Sequence, residues 1–203
     1  MRLALSHQDW VLGFEDETWW SRFEQPKLYA WAQENQPLRL IEQVKASTDP
    51  EAKALACYGL LVRFPNAQSE AEQVWLRFVD GRPVSALTTA FLDWVCDKAQ
   101  RLGKRVLALV WDNASWHNSQ AVRNWVRQHN RHVKHSGQGI RLLICPLPVK
   151  SPWLNPIEPK WLYAKRRILE PDRTLSMSDL IERICATFGC THEAYLSIPE
   201  KVS

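Results

Sequence analysis

The run from Arg105 to Trp111, RVLALVW, constrains the fold more than any other stretch. Its apolar residues are continuous rather than alternating, so a strand here is buried on both faces, and both faces of its sheet need a covering layer. The run stops at Asp112-Asn113, which leaves an acid at a strand end. Upstream, Leu87, Phe91, Trp94, Val95 and Leu102 recur at helical spacing and Gly103 closes the pattern, giving an amphipathic helix to pack on that sheet.

The other elements follow in the same way. Trp10 to Glu15, WVLGFE, predicts a short strand that ends in the acidic cluster Glu15-Asp16-Glu17. Burying three adjacent acids is costly, so at least one must face a positive group. Residues 18–52 have no clear period and predict a long loop with a short strand near Leu38 to Val44. Ala54 to Arg63 and Val74 to Val79, separated by Pro65-Asn66-Ala67, predict an antiparallel hairpin. Residues 119–134 predict a helix with Val122, Trp125, Val126 and Val133 on one side and a stripe of Arg123, Arg127, Arg131 and Lys134 on another. Ile140 to Leu147 gives another strand. Asn155 then predicts an N-cap with Pro156 at the first helical position, and Ser176 opens a last helix that runs to Phe188 before Gly189. The expected architecture is α/β in a single domain over residues 1–203, a mixed central sheet flanked by helices.

Charge is unevenly placed. Between Asp112 and Glu158 there is no Asp or Glu, and residues 113–169 carry ten basic residues against that one glutamate, although the whole chain is only +4. Such a field attracts a polyanion and holds phosphates close to a carboxylate. No apolar run reaches the length of a spanning helix, and the start MRLALSHQDWVLGF is broken by polar residues, so neither a membrane span nor a signal peptide is expected. Five scattered cysteines without a CxxC pair point to reduced thiols and a cytosolic protein, and exclude a zinc spacing. No glycine-rich phosphate loop and no serine or cysteine nucleophile motif is present. Most of the eleven tryptophans belong in the core; Trp19, Trp20, Trp31, Trp116 and Trp153 fall in predicted loops, where stacking on bases is an alternative.

Three acids from distant parts of the chain, Asp16, Asp112 and Glu158, stand at strand ends or a helix start. Oxygen ligands of this kind suit Mg²⁺ or Mn²⁺, and a pair of such ions serves phosphodiester chemistry. Each acid also has a plainer reading. Glu158 completes a capping box with Asn155, Asp112-Asn113 is a polar turn, and Asp16 is a surface acid like Glu15 or Glu17.

Two stretches narrow the choice. Trp111-Asp112-Asn113-Ala114-Ser115-Trp116-His117 after an apolar strand, and Ser151-Pro152-Trp153-Leu154-Asn155-Pro156-Ile157-Glu158-Pro159-Lys160-Trp161, closely resemble the DDE transposases, and in particular the bacterial insertion-sequence branch of the mariner-like superfamily. Asp16-Glu17 resembles the aspartate-glutamate pair that ends the family's first strand. The resemblance runs from about Trp10 to Ile168 and implies an RNase H-like fold. By position it makes Asp16, Asp112 and Glu158 the catalytic residues and the ligands of two Mg²⁺ or Mn²⁺ ions, with Asn113, His117 and Asn155 in supporting roles.

The implied reaction is cut-and-paste transposition on double-stranded DNA. A phosphodiester at the element's end is hydrolysed, and the freed 3′-hydroxyl attacks target DNA in line, with no covalent enzyme intermediate. Arg123, Arg127, Arg131, Lys165, Arg166 and Arg167 would hold the DNA backbone. A homodimer on paired ends and a bacterial, cytoplasmic, nucleoid-associated location are implied too. Two departures stand out. The interval between Asp112 and Glu158 is longer than is usual in the family, with the excess assigned to Gln128 to Ile140. The helix-turn-helix domain that precedes the catalytic strands in relatives has no counterpart here, which predicts a fragment, or the downstream product of a split frame working with a separate DNA-binding polypeptide. The rival expectations are a nuclease that cuts without joining and a non-catalytic DNA-binding remnant of a decayed element.

Overall fold

The computed structural model describes residues 4, 6–23, 45–65, 72–168 and 174–198. The predicted strand near Leu38 to Val44, Trp31 and the turn at Asn66-Ala67 lie outside the described residues. Five strands form one sheet: β1 (Trp10–Ser21), β2 (Ala54–Arg63), β3 (Glu72–Val79), β4 (Val106–Trp111) and β5 (Arg141–Pro146), in the order β3-β2-β1-β4-β5. The hairpin β2-β3 is antiparallel, as is β1 to β2, whereas β4 runs parallel to both β1 and β5. The helices whose full range is described follow: α1 (Ser85–Arg101), α2 (Gln120–Ser136), α3 (Glu158–Ile168) and α4 (Met177–Phe188). Among the described residues no helix is long and apolar enough to cross a membrane.

The sheet is covered on both faces, as the continuous run of β4 requires. On one face Val11, Leu107, Leu109 and Trp111 pack with Phe91 and Val95 of α1 and Val122 of α2. On the other, Leu12, Phe14, Ala108 and Val110 pack with Trp161 and Ala164 of α3 and Ile181 and Ile184 of α4. Strand parity therefore assigns each β1 side chain to one helical layer or the other.

Two elements differ from the sequence reading. β1 does not stop at its acids but runs on to Ser21, paired antiparallel with β2 throughout, and Trp20 is buried rather than in a loop. Alternation makes this affordable: Glu15 and Glu17 go to one layer and Asp16 to the other, so the three charges are not buried side by side. At α3, Asn155 does not cap in the simple sense. A 3-10 turn (Pro152–Leu154) precedes it, the helix opens at Glu158, and the Asn155 Oδ1 receives only a long 3.5 Å contact from Ile157 N. Its Nδ2 instead donates to the Glu15 carbonyl at 2.9 Å, tying the helix start to β1. Ser176 and Ser119 cap their helices through Asp179 N and Val122 N, and Gly137 and Gly189 close α2 and α4. The stretch Gln128 to Ile140 forms the second half of α2 and its glycine turn, where Asn130 exchanges two hydrogen bonds with Leu142 of β5.

Gly59 on β2 lies directly across from Asp16. A Cβ there would lie 2.3 Å from the Trp161 ring, which Trp20 and Phe188 hold edge-on from other sides. Gly59→Ala is accordingly expected to cost about 1–3 kcal/mol, the usual price of overpacking, read as a lower urea midpoint with an unchanged m-value.

Candidate active site

The parallel pairing of β1 and β4 ends at Phe14 with Val110. Carried forward two residues, the same register sets Asp16 beside Asp112, where β1 keeps only its β2 neighbour and β4 has finished. The two strands open here into a cavity of about 390 Å³ whose lining includes Asp16, Asp112, Asn113, Asn155 and Glu158, closed by the loop from Leu147 to Pro152. All three acids singled out in the sequence thus meet in one hollow. A second hollow of about 420 Å³ continues from Asp16 and Asp112 past Glu17, Trp19, Arg82 and Trp116. Two larger hollows, of about 920 and 940 Å³, are lined by other residues and do not include Asp16, Asp112 or Glu158.

Each acid is held differently. Asp16 accepts a 2.9 Å hydrogen bond from Trp161 Nε1 at Oδ2. Burial, then the charges of Glu158, Glu15 and Glu17, push its carboxyl up to about 8, against the lowering effect of that hydrogen bond. Asp112, half exposed, accepts from His117 Nδ1 at 2.9 Å and from Ala114 N at 2.8 Å, both at Oδ1. The His117 bond leads in holding its carboxyl below the usual range. The Glu158 side chain makes no hydrogen bond among the described residues, so it does not complete a capping box; its backbone N donates to the Asn155 carbonyl at 3.2 Å. Its carboxyl is raised by burial and then by the Asp112 charge, with Lys165 opposing. Asn113 Nδ2 donates to the Leu147 carbonyl at 2.5 Å and fastens the loop over the cavity.

Beneath Asp112, on the opposite face of β1 from Asp16, lies a buried cluster. His117 Nε2 sits 3.1 Å from Glu15 Oε2 and 3.3 Å from Glu17 Oε1, and its ring stacks on Trp111 at 4.6 Å, nearly parallel. The Glu15 contact is an ion pair without hydrogen-bond alignment, and neither Glu15 oxygen has a hydrogen-bond donor. Trp116 Nε1 donates to Glu17 at 2.7 Å. Both imidazole nitrogens face carboxylate oxygens, so both carry protons and the ring is an imidazolium. Burial alone would lower the His117 pKa; the Glu15 charge, the hydrogen bond to Asp112 and the close Glu15 and Glu17 carboxylates outweigh it and push it up to about 12. Burial, then Glu17, pushes Glu15 up to about 7. His117 is the positive group that the triple acid requires.

The predicted basic residues do not share a surface. Arg123, Arg127 and Arg131 are exposed along α2, whereas Lys165, Arg166 and Arg167 belong to α3 on the opposite layer. Lys165 lies over the Trp20 ring and Arg167 bonds the Tyr163 hydroxyl. Three site residues escaped the sequence reading. Trp161 looks like one more core aromatic until its indole is seen to hold Asp16. Glu17 gives no sign of facing His117, and Arg82 follows a turn far from any motif.

The lining suits a hard divalent cation: three carboxylates line one cavity, no sulfur or imidazole nitrogen does, and, beyond burial, the Glu158 charge raises Asp16 and the Asp112 charge raises Glu158. Among the described residues the set whose ligand atoms all lie within 4.8 Å of one another is Glu15, Glu17 and His117 on the other face of β1, not the three cavity acids. Residues 62–181, more than half the chain, match the family described as DDE superfamily endonuclease. The chain belongs to that family. The match includes Asp112 and Glu158 and begins after Asp16. No curated protein matches this DDE-family chain. Solved structures do: a Mos1 transposase paired-end complex with left transposon end (18% identity, TM-score 0.59, 91% of this chain and 48% of that one), a Mos1 strand transfer complex (18%, 0.55, 91% and 48%), and a Mos1 mariner paired-end complex with Mn (20%, 0.57, 89% and 48%). They share its mixed sheet and flanking helices, the RNase H-like fold, and the chain spans about half their length.

The raised acids make the pH dependence of folding specific. Asp16 and Glu15 hold protons in the folded state up to about 8 and 7, against 3.8 and 4.5 otherwise, so unfolding releases protons and stability falls as pH rises through that interval. His117 acts in the same direction, its contribution being complete below 6.5 and lost on the way to about 12. Asp112, lowered, contributes stability that is lost only on acidification. Without metal, the folded state is expected to be more stable near pH 5.5 than near pH 8, by on the order of a few kcal/mol, and to melt correspondingly higher. Added Mn²⁺ should narrow the gap, because the ion competes with those protons.

Proposed function

We propose that this chain is the catalytic domain of a transposase of the bacterial insertion-sequence branch of the mariner-like superfamily, performing DNA strand cleavage and strand transfer. The observation that carries the reading is the meeting of Asp16, Asp112 and Glu158, from β1, the end of β4 and the start of α3, in one cavity of a DDE-family domain. These three would hold Mg²⁺ or Mn²⁺, in one or two sites. When bound, such ions supply Lewis-acid stabilisation of phosphoryl oxygens and a more acidic water.

The chain's own residues do the positioning. Trp161 holds Oδ2 of Asp16 and leaves Oδ1 without a hydrogen bond; His117 and Ala114 hold Oδ1 of Asp112 and leave Oδ2. Asn155 fixes the start of the Glu158 helix against β1, and Asn113 fixes the loop opposite. Lys150 and Arg82 line the two hollows and would meet the phosphates that flank the scissile bond. Arg123, Arg127 and Arg131 on one layer and Lys165, Arg166 and Arg167 on the other would contact DNA backbone at separate places, a division suited to one element end and one target, or to two protomers of a homodimer. The Mos1 neighbours, described as complexes with transposon ends and with Mn or Mg, support DNA and divalent metal as partners. End recognition would come from a separate DNA-binding polypeptide or segment.

The test is nicking of supercoiled plasmid by the purified chain with Mn²⁺, followed by sequencing of joined products. Nicks with joined ends support the transposase; nicks without them leave the nuclease reading. Binding of DNA that is indifferent to Mn²⁺, with no nicking at any concentration, would replace both with a non-catalytic remnant.

A further inference from the structure

Trp153 is the most exposed tryptophan among the described residues, with 75% of its surface free, and Val149 nearby is 73% exposed. No ring contact and no hydrogen bond to the indole N–H exists among the described residues, although burial is the ordinary fate of such a side chain. The backbone that carries the ring is nevertheless held in place. It is the 3-10 turn Pro152–Leu154, closed by Leu154 N to the Ser151 carbonyl at 3.1 Å and Asn155 N to the Pro152 carbonyl at 2.8 Å. Pro148, Pro152 and Pro156 stiffen the chain around it. Lys150 holds a φ of 58°, a left-handed conformation unfavourable for a side-chain-bearing residue and typical of functional loops.

Both ends of this loop are fastened to the acid-bearing strands. Leu147 N donates to the Trp111 carbonyl at 2.8 Å, and Asn155 reaches the Glu15 carbonyl. Val149, Lys150 and Pro152 themselves line the cavity of the three acids, so the backbone of Trp153, the residue after Pro152, is held next to that cavity. From Asn113 to Ile157 the chain has no acid, and Lys150 lies between the two bare apolar side chains. An exposed aromatic on a fixed turn, in an acid-free stretch with Lys150 close by in sequence, is an arrangement that stacks nucleobases.

We propose that Trp153 is a stacking platform for one unpaired base next to the phosphate that enters the acid cavity. The inference rests on the DNA reading above and adds that the strand is taken up unpaired at that point. A base inside a duplex has both faces covered by its neighbours and cannot accept the ring. Stacking on an aromatic is tolerant of base identity, so the platform selects for an unstacked base rather than for a sequence.

The test uses a short duplex with 2-aminopurine in a single-stranded 3′ overhang, and the same duplex blunt with the 2-aminopurine paired, both in Ca²⁺. The wild-type chain is expected to bind the overhang about tenfold more tightly than the blunt form, the size of one base-aromatic stack, and to quench the 2-aminopurine on binding. Trp153→Phe should keep most of this preference, and Trp153→Ala should lose both preference and quenching while binding the blunt duplex as before. An overhang preference that survives Trp153→Ala overturns the proposal. So does a change in the sedimentation coefficient of Trp153→Ala without DNA, which would make the patch an interface between copies of the chain. Failure of the wild type to bind either duplex is a different result: it removes the DNA reading itself, and the platform with it.

Discussion

Asp112→Asn is expected to abolish Mn²⁺ binding in calorimetry and to lower strand nicking by at least about a thousandfold, the scale seen when a group acting directly on the reacting centre is removed, with little change in melting temperature. The fold should tolerate it because the Asp112 side chain is 52% exposed and an asparagine Oδ1 can still accept from His117 Nδ1 and Ala114 N. Asp16→Asn should lose metal in the same way and melt higher than wild type near pH 8, since it removes a buried carboxyl that its neighbours repel. Glu17→Gln separates the two faces of β1. Its side chain lies with His117 and Trp116, so Mn²⁺ binding should persist. Wild-type Mn²⁺ affinity in Asp112→Asn would falsify the proposed ligand set, and loss of affinity in Glu17→Gln alone would move the site to the other face.

That separation shows what the sequence could carry. The apolar run of β4, the hairpin β2-β3 and the periodicity of α1, α2 and α4 were legible because burial and period write themselves into local composition. Asp112 and Glu158 were legible because each stands where an element begins or ends. The path of β1 was not. A strand that passes three acids looks terminated by them, and only the tertiary partners, Trp161 on one face and His117 on the other, explain why it continues. The role of Asn155 was half legible. Its capping position was evident, but its main hydrogen bond reaches Glu15, 140 residues away in the chain, which no local pattern encodes. The two basic clusters read as one field along the sequence, because linear charge density does not say which side of a sheet a helix will cover.

His117→Ala is expected to be the most destabilising substitution in the site, at about 3–5 kcal/mol, the cost of leaving a buried charge without its partner. Glu15 is 1% exposed with no hydrogen-bond donor, so the imidazolium is what makes its carboxylate tolerable. Removing the ring also opens a void under Trp111, against which it stacks. A double-mutant cycle distinguishes these contributions. If the charge dominates, Glu15→Gln combined with His117→Ala should melt above His117→Ala alone, and the single variant should regain stability on acidification as Glu15 takes up a proton. If the void dominates, the second substitution and the pH should make little difference. His117→Asn then isolates the effect on the cavity above, because an amide there can still donate to Asp112 while lacking the positive charge. Metal affinity retained in His117→Asn and lost in His117→Ala would make the hydrogen bond to Asp112, rather than the buried charge, the link between this cluster and the acids. Equal metal affinity in both variants and wild type would confine His117 to holding β1 and its acids in the sheet.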